Sequence, residues 1–300
     1  MAWGLEIETE RLRVCRAEVR WGRLSLHRRM EVPVPSGLIR PSHKEGNVTD
    51  PASLTGLLRD LCKKAGCQGW MRVVLPDPVF SLRTIVCDEL PAKREEAQRF
   101  LCWQARELLP FPVDEARLDF LPLGQGTDGR ARAVCLVARE RILAEYERVL
   151  TDAGLRTAVL DARSISLAQA ASTSLAQGTA GLLAIGGSWT TLLVMQEGRP
   201  RFWRVLFEGS RGWMDDTRPR LFREVADSLS FCRESEGMGP VDGLVLAGLG
   251  AWTGEVVTGL AEWLGLPITA LDLCAALRTE GHPDELVQWG PAIGAAIRPC

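Results

Sequence analysis

The residues of this 300-residue chain most suited to chemistry lie in one turn, Gly181-Leu182-Leu183-Ala184-Ile185-Gly186-Gly187-Ser188-Trp189-Thr190-Thr191. Apolar residues at 182–185 read as a buried strand, two glycines as the bend, and β-branched residues as a strand running back. Such a bend lets a backbone come close to a phosphate, because nothing projects from Gly186 and Gly187. An acid is missing from it: position 184 is alanine. The plainer reading of Gly186-Gly187 is turn chemistry, and Thr190 and Thr191 serve equally as strand formers.

Other chemistry is scarce. The nine cysteines are odd in number, scattered and mostly flanked by apolar residues, so the expectation is reduced, buried thiols. Cys62 and Cys67 are the closest pair, with no CxxC and no histidine nearby, so no metal site is expected. The three histidines, His27, His43 and His282, are too separated for a catalytic cluster. Ten tryptophans invite a base-stacking role for Trp189, Trp203 or Trp252, but core and lobe-interface packing is the default.

The composition, 46% hydrophobic and 25% charged, is that of a globular protein. With 36 basic and 38 acidic residues and no long lysine/arginine block, no nucleic-acid footprint is expected. No apolar run approaches the ~18 residues of a membrane span and the first residues are not a signal peptide, so the expectation is a cytoplasmic protein or the cytoplasmic part of a larger one.

The elements that position the turn repeat. Segments 3–8, 11–19 and 22–32 read as three strands joined by the tight links Thr9-Glu10 and Trp21-Gly22. A helix opens at Asp50-Pro51, carries Leu54, Leu57, Leu58, Leu61 and Ala65 on one side and stops at Gly66. Trp70–Leu75 reads as a buried strand. From Gly181 the same rhythm returns: strands at 181–186, 189–196 and 201–208, a helix over 217–235 and a strand at 243–247. Helices over 252–264 and 286–297 flank a short extended piece at 267–271. Between the copies lies a block of different rhythm: an extended segment at 81–87, a helix over 93–109 stopped by Leu109-Pro110-Phe111-Pro112, strands at 116–121 and 131–138, and a helix over 140–153 closed by Gly154. The expected architecture is α/β, two lobes of strand-strand-strand-helix-strand facing each other across a cleft, the first carrying an α/β insertion.

The duplication and its turns resemble the actin/sugar-kinase/Hsp70 ATPase superfamily, and more closely the PilM family of type IV pilus assembly, which is FtsA-like, with the cytoplasmic region of GspL as a cousin. The insertion carries the most specific part: Ala105-Arg106-Glu107-Leu108-Leu109-Pro110-Phe111-Pro112-Val113-Asp114-Glu115 with Leu118-Asp119-Phe120, similar to the family's helix, Leu-Pro-Phe, acid pair and Asp-Phe strand. Val137-Ala138-Arg139, Tyr146 and Ala153-Gly154-Leu155 continue it. The end, Gly290-Pro291-Ala292-Ile293-Gly294-Ala295-Ala296-Ile297-Arg298, is similar to the family's closing helix.

The resemblance implies duplicated actin-like, ribonuclease H-like lobes with mixed five-stranded sheets: 1–79 as the first part of lobe one, 80–160 as the inserted subdomain, and 161–300 as lobe two, whose closing helix over 283–298 packs back toward lobe one. It implies a partner: the N-terminal tail of a PilN-like single-span inner-membrane protein, gripped beside the insertion by Phe80, Leu82, Trp103, Leu108, Phe111 and Phe120. Self-association is a further implication, and the membrane would be reached only through that partner. The protein would sit in the cytoplasm, peripheral to the inner membrane.

Against that pattern the nucleotide motifs are eroded. Relatives open with Asp-x-Gly; Gly4-Leu5-Glu6-Ile7-Glu8 puts Glu6 at the acid and Glu8 at the glycine. The second Asp-x-Gly becomes Ala184-Ile185-Gly186. The family's Gly-Gly-x-Ala appears as Ala247-Gly248-Leu249-Gly250-Ala251. Phosphoryl transfer depends on positioning and on charge compensation through a metal. The expectation is therefore no catalytic residue, no resident metal and no cofactor. The alternative is an ATP–magnesium switch or weak ATPase using Glu6, Gly186, Gly187, Ser188, Thr190, Gly248 and Gly250. A third reading is the cytoplasmic region of a GspL-like or PilM-PilN fused protein.

Overall fold

A computed structural model describes residues 2–126, 128–211, 218–235, 238–250 and 253–298. Trp252, Ala251 and Cys300 lie outside them.

Lobe one is a mixed five-stranded sheet in the order β3-β2-β1-β4-β8, built from β1 (Ala2–Ile7), β2 (Arg11–Arg20), β3 (Arg23–Pro33), β4 (Trp70–Leu75) and β8 (Arg156–Ala162). The meander β1–β3 is antiparallel, and β4 and β8 run parallel to β1. Helix α1 (Pro51–Ala65) covers one face. Asp50 caps it by accepting from the Ser53 N–H at 3.1 Å, and Gly66 ends it in the left-handed region, φ 72°.

The insertion is a three-stranded antiparallel sheet, β5-β7-β6, from β5 (Phe80–Cys87), β6 (Ala116–Gln125) and β7 (Ala131–Arg139). Helix α2 (Arg94–Gln104) covers it with Ala97 and Leu101, in a separate core with Ile85, Leu118 and Cys135. The block expected over 80–160 is thus divided between two units. Helix α3 (Glu140–Asp152) packs against α1, and the strand from Arg156 is the fifth of lobe one, because its hydrogen bonds go to β4. Helix α2 is also shorter than expected, its last turn tightening to a 3-10 turn at Ala105–Glu107.

Lobe two repeats the plan as β11-β10-β9-β12-β13, with β9 (Thr179–Ile185), β10 (Thr190–Gln196), β11 (Arg199–Leu206), β12 (Gly243–Ala247) and β13 (Ile268–Ala270). Helices α5 (Arg218–Ser235) and α6 (Thr253–Leu264) complete it. The two hairpins match residue for residue. Glu6 pairs with Arg13 as Ala184 pairs with Thr191. The Glu8 N–H donates to the Arg11 carbonyl at 3.1 Å as the Gly186 N–H donates to Trp189 at 2.8 Å.

Helix α4 (Arg163–Ala170), which the periodicity had not indicated, joins the lobes. The closing segment is two helices, α8 (Pro283–Gln288) and α9 (Gly290–Ile297), between the shorter α7 (Leu273–Ala276) and the end; Gly290-Pro291 interrupts it. Helix α9 lies between β1 and α4. A Cβ on Gly4 would collide with the Ala292 carbonyl, and one on Gly294 with the Ser166 carbonyl, so both glycines are required by close backbone approach. The eight described cysteines are free thiols.

Candidate functional site

The cleft between the hairpins encloses ≈ 600 Å³. Gly186 and Gly187 line it from β9, Gly248 and Gly250 from the end of β12, Glu8 and Arg13 from lobe one, and Arg163 from α4. Gly248 has φ +95°, and a Cβ there would strike the Ile185 carbonyl, so glycine is demanded by the meeting of β12 and β9.

Three residues assigned to this site from the sequence do not line it: Glu6, buried beneath it, Thr190 and Ser188. Thr190 is buried and its hydroxyl donates to the Glu208 carbonyl at 2.7 Å, because a strand residue at this register faces the end of β11. Ser188 lies in the neighbouring hollow with Trp189 and Arg211, whose guanidinium donates to its hydroxyl at 3.3 Å. The segment after β11 closes over the turn: the N–H groups of Ser210 and Arg211 donate to the carbonyls of Gly186 and Gly187 at 2.9 and 3.0 Å.

Below the cleft is a cluster of buried charge. Glu6, fully buried, accepts from Arg163 Nε at 3.0 Å and from Arg13 Nη1 at 3.4 Å. Asp77, in the turn after β4, accepts from the Ser164 N–H at 2.9 Å, the Ser164 hydroxyl at 3.1 Å and the Thr191 hydroxyl at 2.7 Å. Trp203 Nε1 donates to the Ser164 hydroxyl at 2.7 Å, so Asp77 and Ser164 join lobe one to β10 and β11. Burial raises the Asp77 carboxyl above the ordinary carboxylate range, against the hydrogen bonds and Arg163, which lower it.

Glu8 is the anomaly. Its Oε1 is buried without a hydrogen-bond partner. Desolvation raises its pKa from 4.5 to about 8; Arg163 opposes the rise, while Glu6 and Asp77 add to it. Burial works against charge on Arg163 too, but Glu6, Glu8 and Asp77 outweigh it and hold the guanidinium protonated.

This arrangement does not fit a magnesium–nucleotide centre. The cation among the carboxylates is Arg163, the second acid position is Ala184, and the glycine position of the first turn holds Glu8, its carboxyl pushed up by burial. Among the described residues no group of three or more His, Cys, Asp or Glu side chains is placed to hold a metal ion. Asp77 and Arg163 were not singled out from the sequence. The signals available were an Asp-Pro after a buried strand and a lone arginine between Ala162 and an apolar helix.

A second groove, ≈ 710 Å³, runs between the insertion, β8, α4 and the β10–β11 hairpin. Leu82, Leu121, Leu136, Leu160, Ile165 and Met195 give it apolar walls. Arg94 with Asp119, and Arg298 with Asp161, form ion pairs at it. Of the six residues expected to grip a tail, Leu82 and Phe120 line this groove. Phe80 is in the main core and Phe111 in the insertion's own core. Trp103 and Leu108, 53% and 46% exposed, lie at and just beyond α2, outside the groove. The six were an implication of the family resemblance, which does not fix which side chains face a groove.

Two mixed five-stranded sheets of matching topology, joined by a helix and facing across a glycine-walled cleft, define the actin-like ATPase fold. Solved structures agree on that fold. The "PilM-PilN type IV pilus biogenesis complex" aligns with TM-score 0.81 and 23% identity over 98% of this chain and 96% of that one. A Bacteroides thetaiotaomicron protein with actin-like ATPase fold aligns with TM-score 0.54 and 10% identity, over 93% and 96%. The cytoplasmic domain of EpsL, an inner-membrane component of the Vibrio cholerae type II secretion system, aligns with TM-score 0.52 and 10% identity, over 96% and 93%. None of the curated proteins matches the chain. The family model described as "Type IV pilus assembly protein PilM" matches residues 4–211. The chain belongs to the PilM family.

Proposed function

We propose that this protein is a scaffold of the inner-membrane platform of type IV pilus assembly, holding the N-terminal tail of a PilN-like single-span protein in the groove beside the insertion, and that it does not hydrolyse ATP. The observation that carries the reading is the contrast between the two concavities. The groove is open, apolar-walled and bordered by a strand edge and two ion pairs, features suited to an extended peptide with apolar anchors. Beneath the cleft, Glu6 is neutralised from within by Arg163 and Arg13. Family membership and the likeness to a PilM-PilN complex support the identity of the partner. Among the described residues no helix is long and apolar enough to cross a membrane, so an anchored partner would bring the scaffold to it.

Pull-down with a synthetic tail of the PilN-like protein tests the proposal. Retention that a Leu136→Glu variant loses is the expected result; no retention of the wild type would refute it. A second reading, an ATP-responsive switch of the same fold, draws on the glycine walls at Gly186, Gly187, Gly248 and Gly250. It requires a rise in melting temperature with magnesium and ATP, since a ligand of the folded state alone stabilises it.

A further inference from the structure

The end of lobe one opposite the cleft carries features that neither the cleft nor the groove uses. Ala2 pairs with Ala17, so Glu18–Arg20 run past the start of β1, about 10 Å at the usual rise of a strand. The projecting hairpin turns at Trp21-Gly22, with φ +54° and +74°. That is the two-residue turn in which asparagine and glycine are preferred at both places. Here the first holds a tryptophan 95% exposed, with Val19 partly exposed behind it. Nothing in the packing of the lobe accounts for that side chain.

The same end gathers a second indole and several cations. Trp3 pairs with Met71 in parallel register, so Trp70, 62% exposed, opens β4 at this end, opposite Arg156 on β8. Helix α1 finishes here with Lys63 and Lys64 in its last turn, both exposed, as are Arg20, Arg23 and Arg156. Glu18 is held by Arg20 at 3.2 Å and His27 at 3.6 Å. Asp60, Asp152 and Glu280 are the acids of the adjoining elements. On a chain of net charge −2 this end is a local excess of positive charge around two exposed indoles.

We propose that this end of lobe one, with Trp21 at its tip, docks directly on an anionic lipid surface. Indoles suit the headgroup layer, having an apolar body and one donor, and a projecting tip admits them without unfolding the sheet. Lysines and arginines around them match the negative potential of such a surface, each contributing about fivefold in partitioning. The contact is independent of tail binding, and no partner peptide enters its test.

The test is flotation of the full chain with vesicles of phosphatidylglycerol and phosphatidylethanolamine, against vesicles of phosphatidylcholine alone. The wild type is expected to float with the anionic vesicles and to be released by salt. Lys63→Gln/Lys64→Gln is expected to weaken partitioning about 25-fold, two charges at about fivefold each. Trp21→Ala should weaken it several-fold with an unchanged melting curve, since the side chain is in solvent. Trp263→Ala, at a site 53% exposed on lobe two, should partition as the wild type. The proposal is overturned if the wild type does not float, if it floats equally with neutral vesicles, or if the Trp21 and lysine variants float like the wild type. It is also overturned if Trp21→Ala alters self-association in sedimentation and leaves flotation intact.

Discussion

Replacing Glu8 by glutamine should make the protein more stable, and increasingly so as pH rises. In the unfolded chain the carboxyl titrates near 4.5, and in the fold near 8. Between those values the folded state holds a proton that the unfolded state has lost, so stability falls as pH rises through this window and levels off above it. Each pH unit is worth about 1.4 kcal/mol, so the penalty is below about 1 kcal/mol at pH 5 and about 3 kcal/mol at pH 7. Glu8→Gln keeps the shape and removes the titration. Urea unfolding of both proteins from pH 5 to pH 9 reads the effect as a difference, in which the other titrating groups cancel. The gap should open between pH 5 and 8 in favour of the variant. Parallel pH profiles, or a variant less stable than the wild type at pH 8, would refute the assignment of Glu8 as a neutral, desolvated acid.

Arg163→Met should act in the opposite direction. It leaves Glu6 buried with Arg13 as its remaining charge partner and removes the cation opposing Glu8 and Asp77, so a loss of about 3–5 kcal/mol is expected in the same assay. Gly294→Ala forces α9 off α4 and should cost several kcal/mol or prevent folding, read by soluble yield and melting temperature, whereas Gly254→Ala, at a site with open space around it, should be nearly neutral. Magnesium and ATP at millimolar concentration should neither raise the melting temperature nor release phosphate; a clear shift would favour the switch reading.

How far the sequence could be read follows from what sets each feature. The duplicated hairpins were legible because strand alternation and turn glycines are local, and the erosion at Glu6, Glu8 and Ala184 is written in single residues. Strand β8 and helix α4 were not, because Arg156–Ala170 carries neither clean alternation nor a wide apolar stripe. Helix α4 is largely buried and β8 is an edge strand set by its pairing with β4, so packing rather than periodicity decides their form. Arg163 was missed with it, since a lone arginine reveals its role only when β1 and β4 bring Glu6 and Asp77 to it. Thr190 illustrates the converse. Its type suits a phosphate contact, but the register of β10 turns its hydroxyl to Glu208. The lining of the groove beside the insertion depends on what packs over each face of β5-β7-β6, and that is tertiary information. Phe80 and Leu82 share one face of β5 and the main core, yet of the two Leu82 lines the groove; Phe120 borders it although it packs with Phe111 in the core under α2.

Calorimetric titration of the synthetic PilN-like tail into the wild type and into Leu136→Glu tests the central claim most directly. The account predicts saturable one-to-one binding to the wild type, at least about tenfold weaker in the variant because a buried charge replaces an apolar wall, and unchanged by magnesium and ATP. Absence of heat with the wild type, or equal affinity for both proteins, would contradict it.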